Sequence, residues 1–520
     1  MSLLASMNLS QQALLVNQAA ISVVSNNISN VNTDGYSRQR VNLTPGVNYT
    51  PTGGSTLNQA YSTSGVEIAS IERYADAYLQ SYYRQQNSTE SYLNEYAQVA
   101  ANVEGLTNEL KGAGLESAFT KFYESAQTLS LNPQDAIARQ NYMQQAQTVA
   151  LQFNDLAGNI TDIRSSLVGD VSVPGSLAAS EIFGMVSDTN SLLKQITDVN
   201  NSIVMVSCSD TPPSSLLDKR DQLIDELSAL IPVTVSENTN GTINLSMNGI
   251  DIVKGTKQLA SLNLAEGPDD NTPAIIQLMD ENGIVTSIPI NDKINSGQIG
   301  AVLDVCGVDP NKLTLKGVLD QYNTLASGFA DIINGIQTLS TATQRAMAID
   351  TTTNQLMPAT ENIFEKSDGT PITVADPVTA SNIRINNDVM TDPFLIAVAK
   401  VNLNAVPPFY DPNAIGNNTN MLDVLHSRSA NSGLLGNSSP EGALATIVGK
   451  IGLDTASLNN NLKNQSAVLT QVENQLSSVT GVNLDEELID LTKYQTAYKA
   501  SSRIYTVCNE LLDILINLGR

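Results

Sequence analysis

Across its first 33 residues the chain carries no ionisable side chain, while its larger apolar residues return by sevens: Met7, Leu14, Ile21 and Ile28 on one line, with Val24 and Val31 beside it. This is the pattern of an amphipathic helix about four heptads long whose other face is Gln, Asn and Ser. An ordinary surface helix presents Lys and Glu there. A face of amides and hydroxyls suits burial against other helices, where amides find hydrogen bonds and an unpaired charge would be costly. Two settings satisfy it: a polar helix packed inside its own domain, or one buried between neighbouring chains.

The far end repeats the design. From Gly481 the sequence runs Leu484, Leu488, Leu491, Tyr494, Tyr498, Ser501, Tyr505, Cys508, Leu512, Leu515, in steps of three and four that define one helical stripe. No Pro follows Pro440, so long helices are expected over 441–480 and 483–518, broken near Thr480-Gly481. Each stripe needs a partner. The opposite end of the chain is the simplest one, and neighbouring copies are the next.

Charge separates the ends from the middle. With 27 Lys plus Arg against 52 Asp plus Glu the formal net charge is −25; residues 1–60 contribute +1 (Asp34, Arg38, Arg40) and 481–520 contribute −2, which leaves −24 on 61–480. That acidity keeps the middle soluble. It disfavours nucleic acid, whose phosphates require a basic face, and anionic lipid. A length of 520 residues allows roughly three or four domains. The 41% apolar and 15% charged fractions fit a folded protein and exclude collagen and disulfide-scaffold classes. No apolar run approaches a membrane span, and the start lacks the basic region and compact apolar core of a cleaved signal peptide, so these features alone are compatible with a cytosolic protein.

The middle reads as helix from 68 to 230. Helical spacing covers Tyr92–Leu110 and Phe119–Leu167, the latter interrupted at Asn132-Pro133, then 181–206, and after Pro212-Pro213 the run Leu216–Leu230. Beyond Pro232 the texture changes to short alternating runs separated by Asn240-Gly241 and Asn248-Gly249, both hairpin-turn signals, which predicts a β-rich domain over 232–304. Helical spacing returns over Leu313–Leu339, and 341–438 is rich in Thr, Asn and Pro with a few short strands. The predicted fold is mainly α with an inserted β-rich domain, its helical bundle discontinuous and built from N- and C-terminal segments, with long coiled-coil-like terminal helices. The units are an N-terminal helix and arm (1–60) that pairs with 481–520, a helical body (61–231), a β-rich outer domain (232–312), a returning helix (313–340), an irregular outer region (341–438), a second part of the body (439–480) and the closing helix.

Little in the sequence carries chemistry. A single His, His426, excludes HExxH and two-His metal sites, and the three Cys, Cys208, Cys306 and Cys508, have no metal-ligand spacing and read as buried free thiols. There is no P-loop and no G-x-S-x-G elbow. Asp485, Glu486 and Glu487 open a helix, where acids meet the helix dipole favourably, so capping is preferred to metal binding. Asp218, Lys219, Arg220 and Asp221 read as a surface ion-pair group, and Tyr82-Tyr83 as packing residues. No catalytic residue, metal or cofactor is expected.

The most distinctive segment is Ser25–Arg40, SNNISNVNTDGYSRQR. Asn26, Asn27, Asn30 and Asn32 can bond backbone as the helix ends, and Gly35 permits a left-handed turn after Thr33. On physics alone it is equally a helix C-terminus with a polar arm or an assembly contact.

An N-terminal amphipathic helix running into NNISNVNTDGYSRQ resembles the signature of the bacterial flagellar rod, hook and hook-associated axial family, and the Gly35–Gln39 form resembles its hook-associated branch. The closing segment GVNLDEELIDLTKYQTAYKASSRIYTVCNELLDILINL is similar to that branch's last helix. So are LLDKRDQLIDEL at 216–227, LDQYNTLASGFADIIN at 319–334, SNIRIN at 381–386 and DPFLIAVA at 392–399. Two departures stand out: Asp34 where the family often has Pro, and Gln337 where a His commonly follows the Asn-containing helix.

The resemblance implies a structural subunit of the flagellum. It would form the hook–filament junction ring of about eleven copies at the distal end of the hook, with a second hook-associated junction protein and then the filament built on it. It implies an extracellular location, reached through the flagellar type III export apparatus without a cleaved signal, and a cytoplasmic export chaperone on the C-terminal region. Nucleic acid and membrane insertion are not expected. The assembly interface it implies comprises Met7, Leu14, Ile21, Val24, Asn26, Asn27, Ile28, Asn30, Val31, Thr33, Gly35, Tyr36 and Arg38, together with Leu484, Leu488, Leu491, Tyr494, Tyr498, Tyr505, Leu512 and Leu515. The hook protein itself or a distal rod protein is the alternative within the family; a secreted enzyme would need its site in 232–438. The terminal helices are expected to be mobile in a dilute monomer, because one neutral helix pair buries little surface.

Overall fold

The computed structural model describes residues 3–48, 62–107, 114–206, 214–370, 372–373, 375–404, 411 and 413–518. Its ends are helical: α1 (Leu3–Ser29) pairs with the last helix, and between α1 and the body a long antiparallel hairpin is formed by β1 (Gln39–Asn48) and β2 (Ser62–Arg73), with register shifts at Asn42/Leu43 and Pro45/Val47. The body opens with α2 (Ala77–Thr107), α3 (Gly114–Leu131) and α4 (Ala136–Val168). Asn132-Pro133 separates α3 from α4 as the sequence predicts, and Asp135 caps α4 by accepting from the Ile137 amide at 2.9 Å. Gly169, at φ +76°, stops α4 where a Cβ would lie 2.7 Å from the Leu177 amide nitrogen. α5 (Glu181–Val206) and α6 (Ser214–Leu230) complete this half.

A four-stranded antiparallel sheet follows, β3 (Thr234–Glu237), β4 (Ile243–Met247), β5 (Ile250–Lys254) and β6 (Lys257–Gln258), with strands in sequence order. Asn248 and Gly249, both at positive φ, make the two-residue turn between β4 and β5. A longer hairpin, β7 (Ala260–Asp269) and β8 (Thr272–Asp280), lies against α5. The stretch read as β-rich ends in a helix, α7 (Gly297–Cys306), whose run Gly-Gln-Ile-Gly-Ala-Val-Leu is too apolar all round to show a helical period.

α8 (Leu315–Gln337), capped by Thr314, returns through the middle of the body. The irregular region holds β9 (Gln344–Asp350), β10 (Gln355–Pro358), β11 (Phe364–Lys366), β12 (Ile383–Ile385), the short α9 (Asn387–Thr391), β13 (Ala399–Asn402) and α10 (Thr419–Ser427). His426 therefore sits exposed in a helix and not in a loop. Gln337 is buried and bridges to the backbone, donating to the Leu395 carbonyl and accepting from the Ala397 amide. Ser439 and Pro440 then start α11 (Pro440–Thr480), which runs back along α2, and Gly481–Asn483 joins it to α12 (Leu484–Leu518).

One apolar core spans the body. It is organised around Phe329 of α8, whose ring centre lies 4.9 Å from Phe119, 5.4 Å from Phe122 and 5.3 Å from Phe364. Cys306 is a buried free thiol within it, and Cys508 is buried on α12; Cys208 lies outside the described residues.

Candidate functional site

The terminal unit has a core of its own. Ala20 and Val23 of α1 and Val41 of β1 are buried together, with Ile71 of β2 and Tyr494 of α12 packed against them. Val16 and Val24 of α1 and Cys508 of α12 are buried as well, yet this apolar core is small beside that of the body. What fixes it is polar.

Asn27 is fully buried where α1, the arm and α12 meet. Its carbonyl oxygen accepts from the Tyr36 hydroxyl at 2.8 Å and from the Gln39 amide at 3.0 Å. Its amide donates to the Gln39 carbonyl at 2.9 Å and to Glu487 Oε2 at 3.0 Å. All four bonding directions of one amide are used. Glu487, 2% exposed, receives Arg38 Nε on its other oxygen at 2.7 Å, and Arg38 Nη1 reaches Glu486 at 2.8 Å. The Arg38 backbone amide donates to the Thr480 carbonyl at 2.8 Å, tying the arm to the end of α11. Burial works against the Arg38 cation, but hydrogen bonds and charge from Glu486 and Glu487 outweigh it and raise its pKa. Burial, then the carboxylates of Asp218 and Glu487, push the Tyr36 phenol up to about 12, so at neutral pH it is a donor. Gly35, at φ +75°, turns the chain from the helix end into this position.

Asp485–Glu487 were read from sequence as helix-start acids. They do open α12, but Glu487 is also the buried acceptor of the knot and Glu486 its outer ion pair. The group at 218–221 needs a larger correction: only Lys219 is exposed, while Arg220 and Asp221 are buried. Arg73 at the foot of the hairpin pairs with Asp218 at 2.9 Å and with Asp221, and Arg84 of α2 pairs with Asp221 at 3.2 Å and Asp225 at 2.6 Å. Burial opposes ionisation of Asp221, but Arg73, Arg84 and Arg220 hold its pKa below the usual range. Asp225 is pushed the other way, to about 6, by burial first and by Asp221 and Glu226 as well. This network fastens the terminal unit to the body.

The proposed interface residues divide sharply. Asn27 and Val24 are buried; Met7, Leu14, Ile21, Ile28, Asn30, Val31, Tyr36 and Arg38 are half-buried; Asn26, Thr33 and Gly35 are exposed. On α12, Leu491, Tyr494, Tyr505 and Leu512 turn inward and are half-buried, whereas Leu484, Leu488, Tyr498 and Leu515 face out, Leu488 at 50% exposure and Leu515 at 54%. Residues the sequence did not single out, Val16, Ala20 and Val23, form the buried line of α1; they sit beside the heptad line and are small. Among the described residues no cluster of His, Cys, Asp or Glu is arranged to hold a metal, and no helix is long and apolar enough to cross a membrane.

The two ends that resemble the flagellar axial signature are tied to each other and fastened to a helical body. The model for the flagellar hook-associated protein FlgK helical domain matches residues 100–347, that for the flagellar basal body rod FlgEFG protein C-terminal region matches 475–518, and that for the flagella basal body rod protein matches 7–36. Flagellar hook-associated protein 1 of Bacillus subtilis (strain 168) is 29% identical over 98% of this chain and 96% of its own length. The proteins of that name from Salmonella typhimurium and Escherichia coli (strain K12) are 27% and 26% identical, each over 96% of this chain and 97% of theirs. In fold the chain is similar to the flagellar hook junction protein FlgK from Burkholderia pseudomallei, with a TM-score of 0.57 at 17% identity, over 77% of this chain and all of that one. The chain is thus similar over nearly its whole length to proteins named flagellar hook-associated protein 1, a likeness that supports a flagellar structural role.

Proposed function

We propose that the chain forms the junction between hook and filament, as a ring of about eleven copies joined through α1 and α12. The observation that carries this is the apolar exposure of α12: Leu484, Leu488 and Leu515 lie exposed on a helix already held by α1 and the Asn27 knot. Apolar residues left outward on α12, beside an α1 that carries no charge, are the surface that neighbouring copies, the hook protein below and a second junction protein above bury. Asn26 and Thr33, exposed beside the knot, and the half-buried Asn30 add amide and hydroxyl contacts that carry no charge. In this reading the chain is secreted through the flagellar export apparatus without a cleaved signal, with an export chaperone on its C-terminal region beforehand. Its work is mechanical and not catalytic.

The test is co-sedimentation of the full chain with isolated hooks that lack junction proteins, comparing wild type with Leu488→Asp. Leu488 is exposed, so the variant is expected to keep the wild-type circular dichroism and melting curve while losing saturable binding at the distal tip. Equal binding by both would remove α12 from the interface. Absence of wild-type binding would move the protein to another axial position.

A further inference from the structure

Single side chains close several strand edges of this chain. Asn190 of α5 donates to the Leu262 carbonyl and accepts from the Leu262 amide, both at 2.8 Å, and so stands on β7 where a neighbouring strand would. Asn334 of α8 does the same for Phe364 of β11, at 2.9 Å both ways, and Thr419 of α10 for Lys400 of β13, at 2.9 and 3.1 Å. Asn27 holds Gln39 of β1 in this way, and Asn291 takes the Ile276 amide and the Ala274 carbonyl of β8. On β10 the edge ends at Pro358, which has no donor to offer. β3 is left open. It is the end strand of its sheet and pairs with β4 without a bulge, from Thr234 with Ser246 to Glu237 with Ile243. The Asn238 amide bonds the Thr242 carbonyl in that ladder, and the ladder alternates, so Thr234 and Ser236 aim their backbone groups at β4 while Val235 and Glu237 aim theirs outward. Among the described residues no hydrogen bond reaches those outward amides and carbonyls. Thr234, Ser236 and Glu237 are exposed and Val235 is half-buried, and no Pro, Lys or bulge blunts the strand.

We propose that β3 is a docking edge, which takes an extended segment of a different polypeptide as a further strand of this sheet. Backbone chemistry selects the occupant. Outward donors and acceptors in strand register are matched by an extended backbone and not by a helix, whose own groups are used internally. The side chains set its pattern. Val235 lies on the face that carries the buried Ile243, Leu245 and Met247, and Thr234 and Ser236 lie on the other. An incoming strand therefore sets β-branched apolar residues beside Val235 and Thr or Ser beside the hydroxyls, in alternation. Charge sets its ends. Glu237, the one acid of β3, is held by Arg220 at 3.1 Å, but the chain as a whole carries −25, so a segment ending in Lys or Arg is attracted and a second copy is repelled.

The probe is a fluorescein-labelled peptide, Lys-Thr-Val-Thr-Val-Thr-Lys blocked at both ends, titrated with the full chain and followed by anisotropy. Saturable binding is expected. Val235→Pro, which deletes an outward donor and leaves the bonds to β4 in place, should weaken it about tenfold or more, and Val235→Thr, which keeps the donor, should leave it unchanged. On the wild-type chain the same peptide N-methylated at both Val should not bind, an arm that does not depend on how the Pro variant folds. No binding of the unmodified peptide up to about 1 mM, or equal binding by the Pro variant or of the N-methylated peptide, would overturn the docking edge. A dimer of the chain alone, seen by sedimentation velocity and lost in Val235→Pro, would give the edge to a second copy and overturn the occupant proposed here.

Discussion

Replacing Asn27 by Leu keeps nearly the same volume and deletes four hydrogen bonds at once. The Tyr36 hydroxyl, the Gln39 amide and carbonyl, and one oxygen of Glu487 lose their partner. Tyr36 and Gln39 are half-buried and regain some bonding from water, whereas Glu487 is 2% exposed and does not. At about 0.5–1 kcal/mol for each of three neutral bonds and about 1.5 kcal/mol for the carboxylate, the loss is about 3–4.5 kcal/mol. The apolar core of the terminal unit is small, so the unit should open while the body stays folded. Hydrogen exchange followed by mass spectrometry reads both at once. Peptides from α1, β1 and the first turns of α12 should exchange about 100-fold faster than in wild type, or reach the unprotected limit, and peptides from α3 and α4 should be unchanged. If α1 and α12 of the variant remained as protected as α3 and α4, the knot would not be what holds the unit and the reasoning would fail.

Two further perturbations address the body. Arg139 is fully buried with no acid in contact; it donates to the carbonyls of Pro133, Pro393 and Ile396 at 2.8, 3.1 and 3.1 Å and stacks on Phe394, and burial lowers its pKa to about 10. Arg139→Met should lower the unfolding free energy in urea by about 3 kcal/mol, since it strips the carbonyls of Pro133, Pro393, Phe394 and Ile396 of their donor, and a loss under about 1 kcal/mol would refute that role. Asp225 has a folded pKa raised to about 6, so between about pH 4 and 6 the folded chain binds the extra proton and stability falls as pH rises. Asp225→Asn should remove that fall, about 1–2 kcal/mol after allowing for a side chain 31% exposed and paired with Arg84; an unchanged slope of urea stability against pH over this window would count against it.

Local signals carried much of the fold. Asn132-Pro133, the run 181–206 and the break at Thr480-Gly481 are written in capping, periodicity and helix-breaking residues, and the helices begin and end there. Asp218–Asp221 was misread because its environment is not local: the arginines that bury it, Arg73 and Arg84, are more than 130 residues away in the chain. Glu487 was half-read for the same reason. A helix-start acid and a buried acceptor look alike until Asn27 and Arg38 are placed beside it. The stripe on α12 was drawn by periodicity, which fixes a face only to within about one residue per turn. The inward line therefore runs through Glu487, Leu491 and Tyr494 while Leu484 and Leu488 turn outward.

Closing the chain from Asn27 to Glu487 spans 460 residues, yet the knot does not carry that entropy alone. β2 leads into α2 through three residues, and α11 leads into α12 through three. α2 and α11 are packed together: Gln465 bonds Gln86, and Thr455 bonds the Ala100 carbonyl, an antiparallel register that brings the start of one helix to the end of the other. Once the body has folded, Arg73 and Thr480 are already neighbours of the joint, and the ends have only short tethers left to close. The knot needs Asn27, Arg38, Thr480 and Glu487 together, so it cannot form on a chain that lacks either end. A small apolar cluster completed by a demanding polar knot makes the joining surface conditional on the whole chain, and leaves outward the apolar residues of α12 that further copies can cover.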